Sequence, residues 1–234
     1  MSGIFTAVIV EPRIHKALIY VLNNFLENLD ERWNFLIIHG TENAAWLQST
    51  VNIAFSEHMN RIKYKNLNVP NLTVKEYSGY IASKKFLNEI PTEVFLLFQT
   101  DTLICAPYKH LIDSFLKYDY VGAPWIALPP NYIKGVGNGG LSLRKRSKML
   151  EILEKVPYNT FEYGTPEDTY FSGILEGFPT DIDIYKPTFE EAMLFSSESV
   201  YSPMSFGIHK PWAHMIRITE EQCPGYHMLI GLTL

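Results

Sequence analysis

Glu93-Val94-Phe95-Leu96-Leu97-Phe98-Gln99-Thr100-Asp101-Thr102 decides how the chain is read: five apolar residues run straight into a short polar clip that contains a carboxylate. An unbroken apolar run of this length predicts a strand buried on both faces, as inside a parallel sheet. Open α/β sheets bind ligands beyond the carboxyl ends of their strands, so Asp101 stands where chemistry is expected. The ordinary alternative is an Asp that ends a strand and opens a turn.

The stretches upstream favour the first reading. Phe5 to Val10 (FTAVIV) reads as a buried strand closed by Glu11-Pro12-Arg13. Leu18, Leu22, Phe25, Leu26 and Leu29 then recur at helical spacing over about His15 to Leu29. Trp33 to His39 is a second strand closed by Gly40 and Thr41, and a weaker helix covers roughly 42–55. Residues 60–77 are ambiguous, with short strands predicted around Pro70, and Tyr80 to Ile90 is helical. This β-α-β-α-β order predicts a parallel sheet covered by helices. No glycine-rich dinucleotide fingerprint follows the first strand, and no P-loop motif occurs.

Downstream the texture changes. A short helix around 111–116 leads to a strand at Asp119 to Trp125, and a loop is expected at Pro129-Pro130-Asn131-Tyr132. Gly135 to Arg144 is glycine-rich and ends as an alternating strand, followed by helices over about 145–156 and from Pro166 to about 176. The tail from Ser205 reads as short strand and loop. The expectation is one domain over 1–234, with a nucleotide-binding half to about 101 and an acceptor-binding half with the tail from about 102.

Composition bounds the partners. At 234 residues, 47% hydrophobic and 19% charged, the chain has enough apolar material for a substantial core. A net charge of −5 argues against a nucleic-acid binder that works by phosphate attraction. Two cysteines, Cys105 and Cys223, imply no disulfide framework, so a reducing, cytoplasmic setting is expected. The first apolar run has no basic leader and is cut short at Glu11, so neither a signal peptide nor a transmembrane segment is expected. The Asn71-Leu72-Thr73 glycosylation pattern is discounted for the same reason.

Four clips could carry chemistry: Gln99-Thr100-Asp101, Gly137-Asn138-Gly139-Gly140, Pro166-Glu167-Asp168 and His209-Lys210-Pro211-Trp212. Each has an ordinary explanation. Asn138-Gly139 fits a type I′ hairpin turn, the acids after Pro166 fit helix-start stabilisation, and His209 fits a loop. Together they suit phosphate and sugar chemistry. A strand-end Asp and a distant His can share Mn²⁺ or Mg²⁺, and Lys210 adds charge toward the same phosphates. An acid at a helix start can deprotonate a hydroxyl, and glycines let the backbone approach a bulky ligand.

The arrangement resembles glycosyltransferases of the GT-A fold and, more narrowly, the uncharacterised DUF5672 family. The matching residues are Val8 to Arg13, His39-Gly40, Phe98 to Asp101, Asp119 to Trp125, Gly137 to Arg144 and Pro166 to Asp168. The resemblance implies an α/β, GT-A-like fold (that of nucleotide-diphospho-sugar transferases), with a mostly parallel central sheet flanked by helices and a mixed C-terminal half. It implies a glycosyltransferase that moves a sugar from a nucleotide-diphosphate donor, a UDP-sugar by preference, to a glycan or other hydroxyl acceptor, with inversion favoured over retention and neither fixed by these residues. In that fold the middle strand ends in a D-x-D motif whose last Asp binds the metal. Gln99-Thr100-Asp101 keeps only that last acid, so Asp101, with His209 from a tail element similar to H-x-x-G-x-x-K-P-W, is the implied ligand set for Mn²⁺ or Mg²⁺. Asp168 is the implied base, with Glu167 second. Arg13, Thr41, Gln99, Thr100, Asp101, Gly139, Gly140 and Lys210 are the implied donor contacts. The alternatives are a non-catalytic carbohydrate- or nucleotide-sugar-binding domain of the same fold, or a sugar-nucleotide nucleotidyltransferase. The latter's basic glycine-rich loop is replaced here by Glu11-Pro12-Arg13.

Overall fold

The computed structural model describes residues 3–126, 135–212 and 217–234. The expected loop at 129–132 lies outside them. Every residue of Val94–Phe98 is buried, and this strand (β4) sits inside a six-stranded sheet. Its parallel neighbour is β1 (Phe5–Glu11), which pairs in turn with β2 (Trp33–His39), and β2 with β3 (Ile62–Asn66), all parallel. On its other side β4 pairs antiparallel with β7 (Leu141–Lys145), which pairs antiparallel with β6 (Tyr120–Gly122). The order is therefore β3-β2-β1-β4-β7-β6, an α/β sheet that is parallel in its first half and mixed in its second.

Alternation along these strands divides the core. Ala7, Ile9, Phe35, Ile37, Leu96 and Phe98 join helix α1 (Leu18–Asn28) and helix α2 (Ala44–Ala54) on one face. Val8, Val10, Leu36, Ile38, Phe95 and Leu97 pack on the other face, against α3 (Val74–Ile81), α4 (Lys84–Glu89) and α5 (Arg146–Lys155). Successive residues point to opposite faces and both faces are covered, which is why these strands read as continuous apolar runs.

Four local expectations are corrected. The segment after Pro70 is helical where a strand was predicted: Thr73 and Glu76 form a reciprocal capping box that starts α3, and this local bonding overrides the alternating pattern. The 80–90 helix is interrupted, with Ser83 capping α4 anew. The late helix α6 is short, Glu167–Phe171, followed by α7 (Phe189–Phe195). The tail carries a helix as well, α8 (Tyr226–Thr233).

A second, three-stranded sheet hangs from the carboxyl end of β4. There β5 (Thr102–Ile104) pairs antiparallel with β9 (Gly207–His209), and β8 (Ser196–Ser197) pairs parallel with β9. Beyond β5, Cys105 is disulfide-bonded to Cys223 just ahead of α8, both fully buried. Two cysteines implied no disulfide framework, yet these residues, 118 apart in sequence, are brought together by the return of the tail to the core. Among the described residues no helix is long and apolar enough to cross a membrane.

Candidate active site

The carboxyl ends of β1 and β4 open into one cleft. Glu11, buried at the end of β1, holds the exposed Arg13 through two side-chain bonds of 2.8 Å and accepts its backbone N–H as well. Buried Asn43 fixes the same loop by donating to the carbonyls of Glu11 and Arg13, while accepting from Gly40 N–H. The turn after β2 is thus tied to the turn after β1. Thr41 is exposed, its N–H donates to Val69, and it does not line the cleft.

At the end of β4, Asp101 meets His209 from β9. Their strands are antiparallel neighbours, Thr102 opposite His209, and Lys210 N–H donates to Asp101 C=O at 3.0 Å. His209 Nε2 lies 3.5 Å from Asp101 Oδ1, and Nδ1 lies 3.3 Å from Glu198 Oε1 on the ring's other side. Within the described residues Asp101 Oδ1, both ring nitrogens and Glu198 Oε2 have no hydrogen-bond partner although buried. Burial alone would push the imidazole down, but the two flanking carboxylates raise its pKa to about 9. Burial likewise works against the Asp101 charge, yet His209 and Lys210 hold that carboxyl below its ordinary value. Lys210 itself sits at φ 47°, a left-handed backbone uncommon for a non-glycine residue.

The glycine-rich stretch closes the far wall. A Cβ on Gly140 would fall 2.1 Å from the His209 ring, and one on Gly139 would fall 2.5 Å from Glu167 Oε1 and 2.7 Å from Asp168 Cβ. Neither Asn138 nor Gly139 has positive φ, so the type I′ turn is absent; Asn138 instead caps Gly140 N–H through its side chain. The glycines serve side-chain approach from within the protein.

Glu167 and Asp168 point to different tasks. Glu167 is buried and receives both ends of the Arg144 guanidinium, at 2.6 and 3.0 Å. Arg144 is wholly buried, over the rings of Tyr120 and Phe171, and also donates to Ser142. Asp168 faces the cleft, accepting Gly139 N–H at 3.0 Å and Thr169 N–H at 2.8 Å. Its pKa rises to about 6, first because burial penalises the charge and next because Glu167 is adjacent; the two N–H bonds and Arg144 only partly offset this.

Two adjoining hollows make up the cleft. One of about 320 Å³ is lined by Arg13, Thr73, Gln99, Thr100 and Asp101; one of about 170 Å³ is lined by Asn138, Gly139, Gly140, Asp168 and His209. Val74, Tyr77, Gln99 and Lys210 border both. Larger hollows exist, of about 570 Å³ at the amino ends of the strands and about 630 Å³ beside Trp125, but they hold no strand-end acid, so volume does not select the site. All the expected site residues except Thr41 line this cleft. Sequence reasoning missed Glu198, Arg144 and Tyr77. Tyr77 accepts from Gln99 Nε2 at 3.2 Å, and burial pushes its phenol pKa up. Only Arg144 lay inside a quoted motif.

Residues 53–224 match the DUF5672 model, described as a protein of unknown function. No curated protein sequence matches the chain. Among solved structures it is similar to the glycosyltransferase GlyE of Streptococcus pneumoniae TIGR4, at TM-score 0.57 and 11% identity, over 100% of this chain and 61% of that one. It is similar to the bifunctional glycosyltransferase WbbM at TM-score 0.54 and 10% identity, over 99% of this chain and 50% of the other. It also resembles the mannosyltransferase PcManGT of Pyrobaculum calidifontis, solved with GDP-Man and Mn²⁺, at TM-score 0.50 and 12% identity, over 80% and 57%. At these identities the likeness establishes a GT-A-like glycosyltransferase fold, and the chain spans about six-tenths or less of those proteins' length.

Proposed function

This chain belongs to the DUF5672 family, and because it carries Asp101 and Asp168 at a strand-end cleft we propose that it is an inverting glycosyltransferase. It moves a sugar from a nucleotide-diphosphate donor, a UDP-sugar by preference, to an acceptor hydroxyl. The observation that carries this reading is the cleft itself: Asp101 and His209 face each other in it, and Asp168, whose pKa rises to about 6, lines the same hollow as His209.

The wider hollow takes the nucleotide, with Arg13, Gln99 and Thr100 on its walls, and Lys210 lies toward the diphosphate between the two hollows. Asp101 Oδ1 and His209 Nε2 suit Mn²⁺ or Mg²⁺ because both are buried, unpartnered donors 3.5 Å apart. Two ligands each about 2.1 Å from one ion stand roughly 3.0–3.4 Å apart, close to that spacing. Among the described residues no three His, Cys, Asp or Glu side chains gather as a ligand set, so this chain would contribute these two. A cation held by these two residues would neutralise charge developing on the leaving diphosphate.

Asp168 takes the proton of the acceptor hydroxyl as its oxygen bonds to the anomeric carbon and the nucleoside diphosphate departs. A carboxyl with a pKa of about 6 is ionised at neutral pH yet basic enough to share a proton. The N–H groups of Gly139 and Thr169 fix its orientation. The PcManGT complex with GDP-Man and Mn²⁺ supports a nucleotide sugar and a divalent cation as the ligands to test.

The experiment is calorimetry with a panel of nucleotide sugars, with and without Mn²⁺, followed by donor hydrolysis by water. Binding that strengthens with Mn²⁺, and hydrolysis that falls roughly 10²–10⁴-fold in Asp168→Asn with binding retained, is the expected result. Binding without any turnover in wild type would favour the non-catalytic alternative, and no binding at all would end the proposal.

A further inference from the structure

Among the buried polar groups that the proposed reaction leaves unused is Glu198. It follows β8, whose parallel register with β9 sets Ser197 beside Ile208; continued by one residue, that register brings Glu198 beside His209. Glu198 is 7% exposed, and its Oε1 lies 3.3 Å from Nδ1, on the ring edge away from the cleft. The loop that bears it is pinned: Ser202 N–H donates to Ser197 Oγ, Ser197 lies within bonding reach of Ser205 Oγ, and Gln222 donates to Ser202 C=O. No group in the described structure meets the Nδ1 edge with full hydrogen-bond geometry, and the Glu198 carboxylate at 3.3 Å is the charged group that faces it.

We infer that Glu198 is the positioning residue of the site: it holds His209 through Nδ1, so that Nε2 is aimed at Asp101 and is the nitrogen offered to a cation. This rests on the proposed reading of the site. A histidine ligand needs its second nitrogen engaged to fix ring orientation and the position of the proton, and a carboxylate there also raises the ligand's basicity. Gly140 supplies the third constraint by leaving room for the ring's Nε2 edge.

The test compares wild type with Glu198→Ala and Glu198→Gln, taking His209→Ala as the reference for a lost ligand. One readout is the His209 Nδ1–H signal in the metal-free, ¹⁵N-histidine-labelled chain. The other is Mn²⁺ affinity from electron paramagnetic resonance titration, with and without UDP. We expect Glu198→Ala to lose the Nδ1–H signal and to bind Mn²⁺ about 10–100-fold more weakly. Glu198→Gln, whose carbonyl still accepts the proton, keeps the signal with a smaller, several-fold loss. A residue that only packs would lower stability and move neither readout. If Glu198→Ala does not fold, Glu198→Gln decides, and affinity equal to wild type overturns the inference. An unchanged Nδ1–H signal or unchanged Mn²⁺ affinity in a folded Glu198→Ala overturns it too. If wild type binds no Mn²⁺, the cation reading fails separately, and the Nδ1–H comparison alone decides whether Glu198 holds the ring.

Discussion

Glu167→Gln separates the two acids at the start of α6. In the native protein Arg144 is wholly buried and Glu167 answers it with both oxygens, at 2.6 and 3.0 Å. The glutamine carbonyl can accept one of these N–H groups, but its amide turns two donors toward the other. One charge-assisted bond worth about 1.5–3 kcal/mol is lost, and the guanidinium keeps its charge without a counter-ion. Breaking a buried pair from one side costs about 3–5 kcal/mol. For a chain of this size that corresponds to roughly 6–20 °C in melting temperature. Urea denaturation and thermal melting read the loss directly. Donor hydrolysis supplies the second test, because removing the Glu167 charge also removes a cause of the raised Asp168 pKa. The acid limb of the pH–rate profile should therefore move down from about 6, with the rate above that limb within a few-fold of wild type. A variant as stable as wild type but with hydrolysis down a hundredfold or more would refute this division and make Glu167 the base.

Three further outcomes follow from the same geometry. Stability of the metal-free protein should fall as pH rises from about 6.5 to 9, since the His209 pKa is raised to about 9: its contribution is complete below 6.5 and gone above 9, up to about 3 kcal/mol, and denaturation in EDTA across that range should show the slope in wild type and lose it in His209→Asn. The Asp168 shift also lowers stability with rising pH, but between about 4 and 6, so the two windows can be told apart. Gly140→Ala puts a methyl 2.1 Å from the His209 ring, which should cost about 1–3 kcal/mol and abolish Mn²⁺ binding as the ring is driven off Asp101; unchanged binding would contradict the packing argument. Replacing Cys105 and Cys223 by Ser opens a crosslink spanning 118 residues and should cost about 2–5 kcal/mol, measured against the oxidised wild type in the same denaturant series; a midpoint unchanged under oxidising conditions would mean that the bond does not form in solution.

Much of the sheet was legible because both of its faces are covered. VFLLF is apolar throughout, FTAVIV and WNFLIIH are predominantly so, and each matches an observed strand to within a residue. The 73–81 helix was hidden because Leu72 to Tyr77 (LTVKEY) reads as a short strand, and only the Thr73/Glu76 cap reveals the competing local bonding. Glu198 was hidden for a different reason. It lies in a serine-rich stretch with no periodicity, and its role depends on a two-residue strand pairing across sequence with β9. The Cys105–Cys223 bond was equally closed to sequence reasoning, because a pair of cysteines carries no information on proximity until the tail is known to return to the core.

The Gly139-Gly140 pair shows how such hidden contacts are encoded. Glycines in this stretch read naturally as room for a ligand, but the space beside each is already claimed by protein: Glu167 and Asp168 against Gly139, His209 against Gly140. Residues from α6 and β9 are thereby brought to one wall of one cleft, and the backbone N–H exposed at Gly139 is the group that Asp168 accepts. The same two missing side chains therefore set both the distance between Asp168 and the Asp101–His209 pair and the orientation of the Asp168 carboxylate. Larger residues here would separate Asp168 from His209 even if every acid and imidazole were retained. The site is specified as much by what these two positions omit as by the charged residues around them.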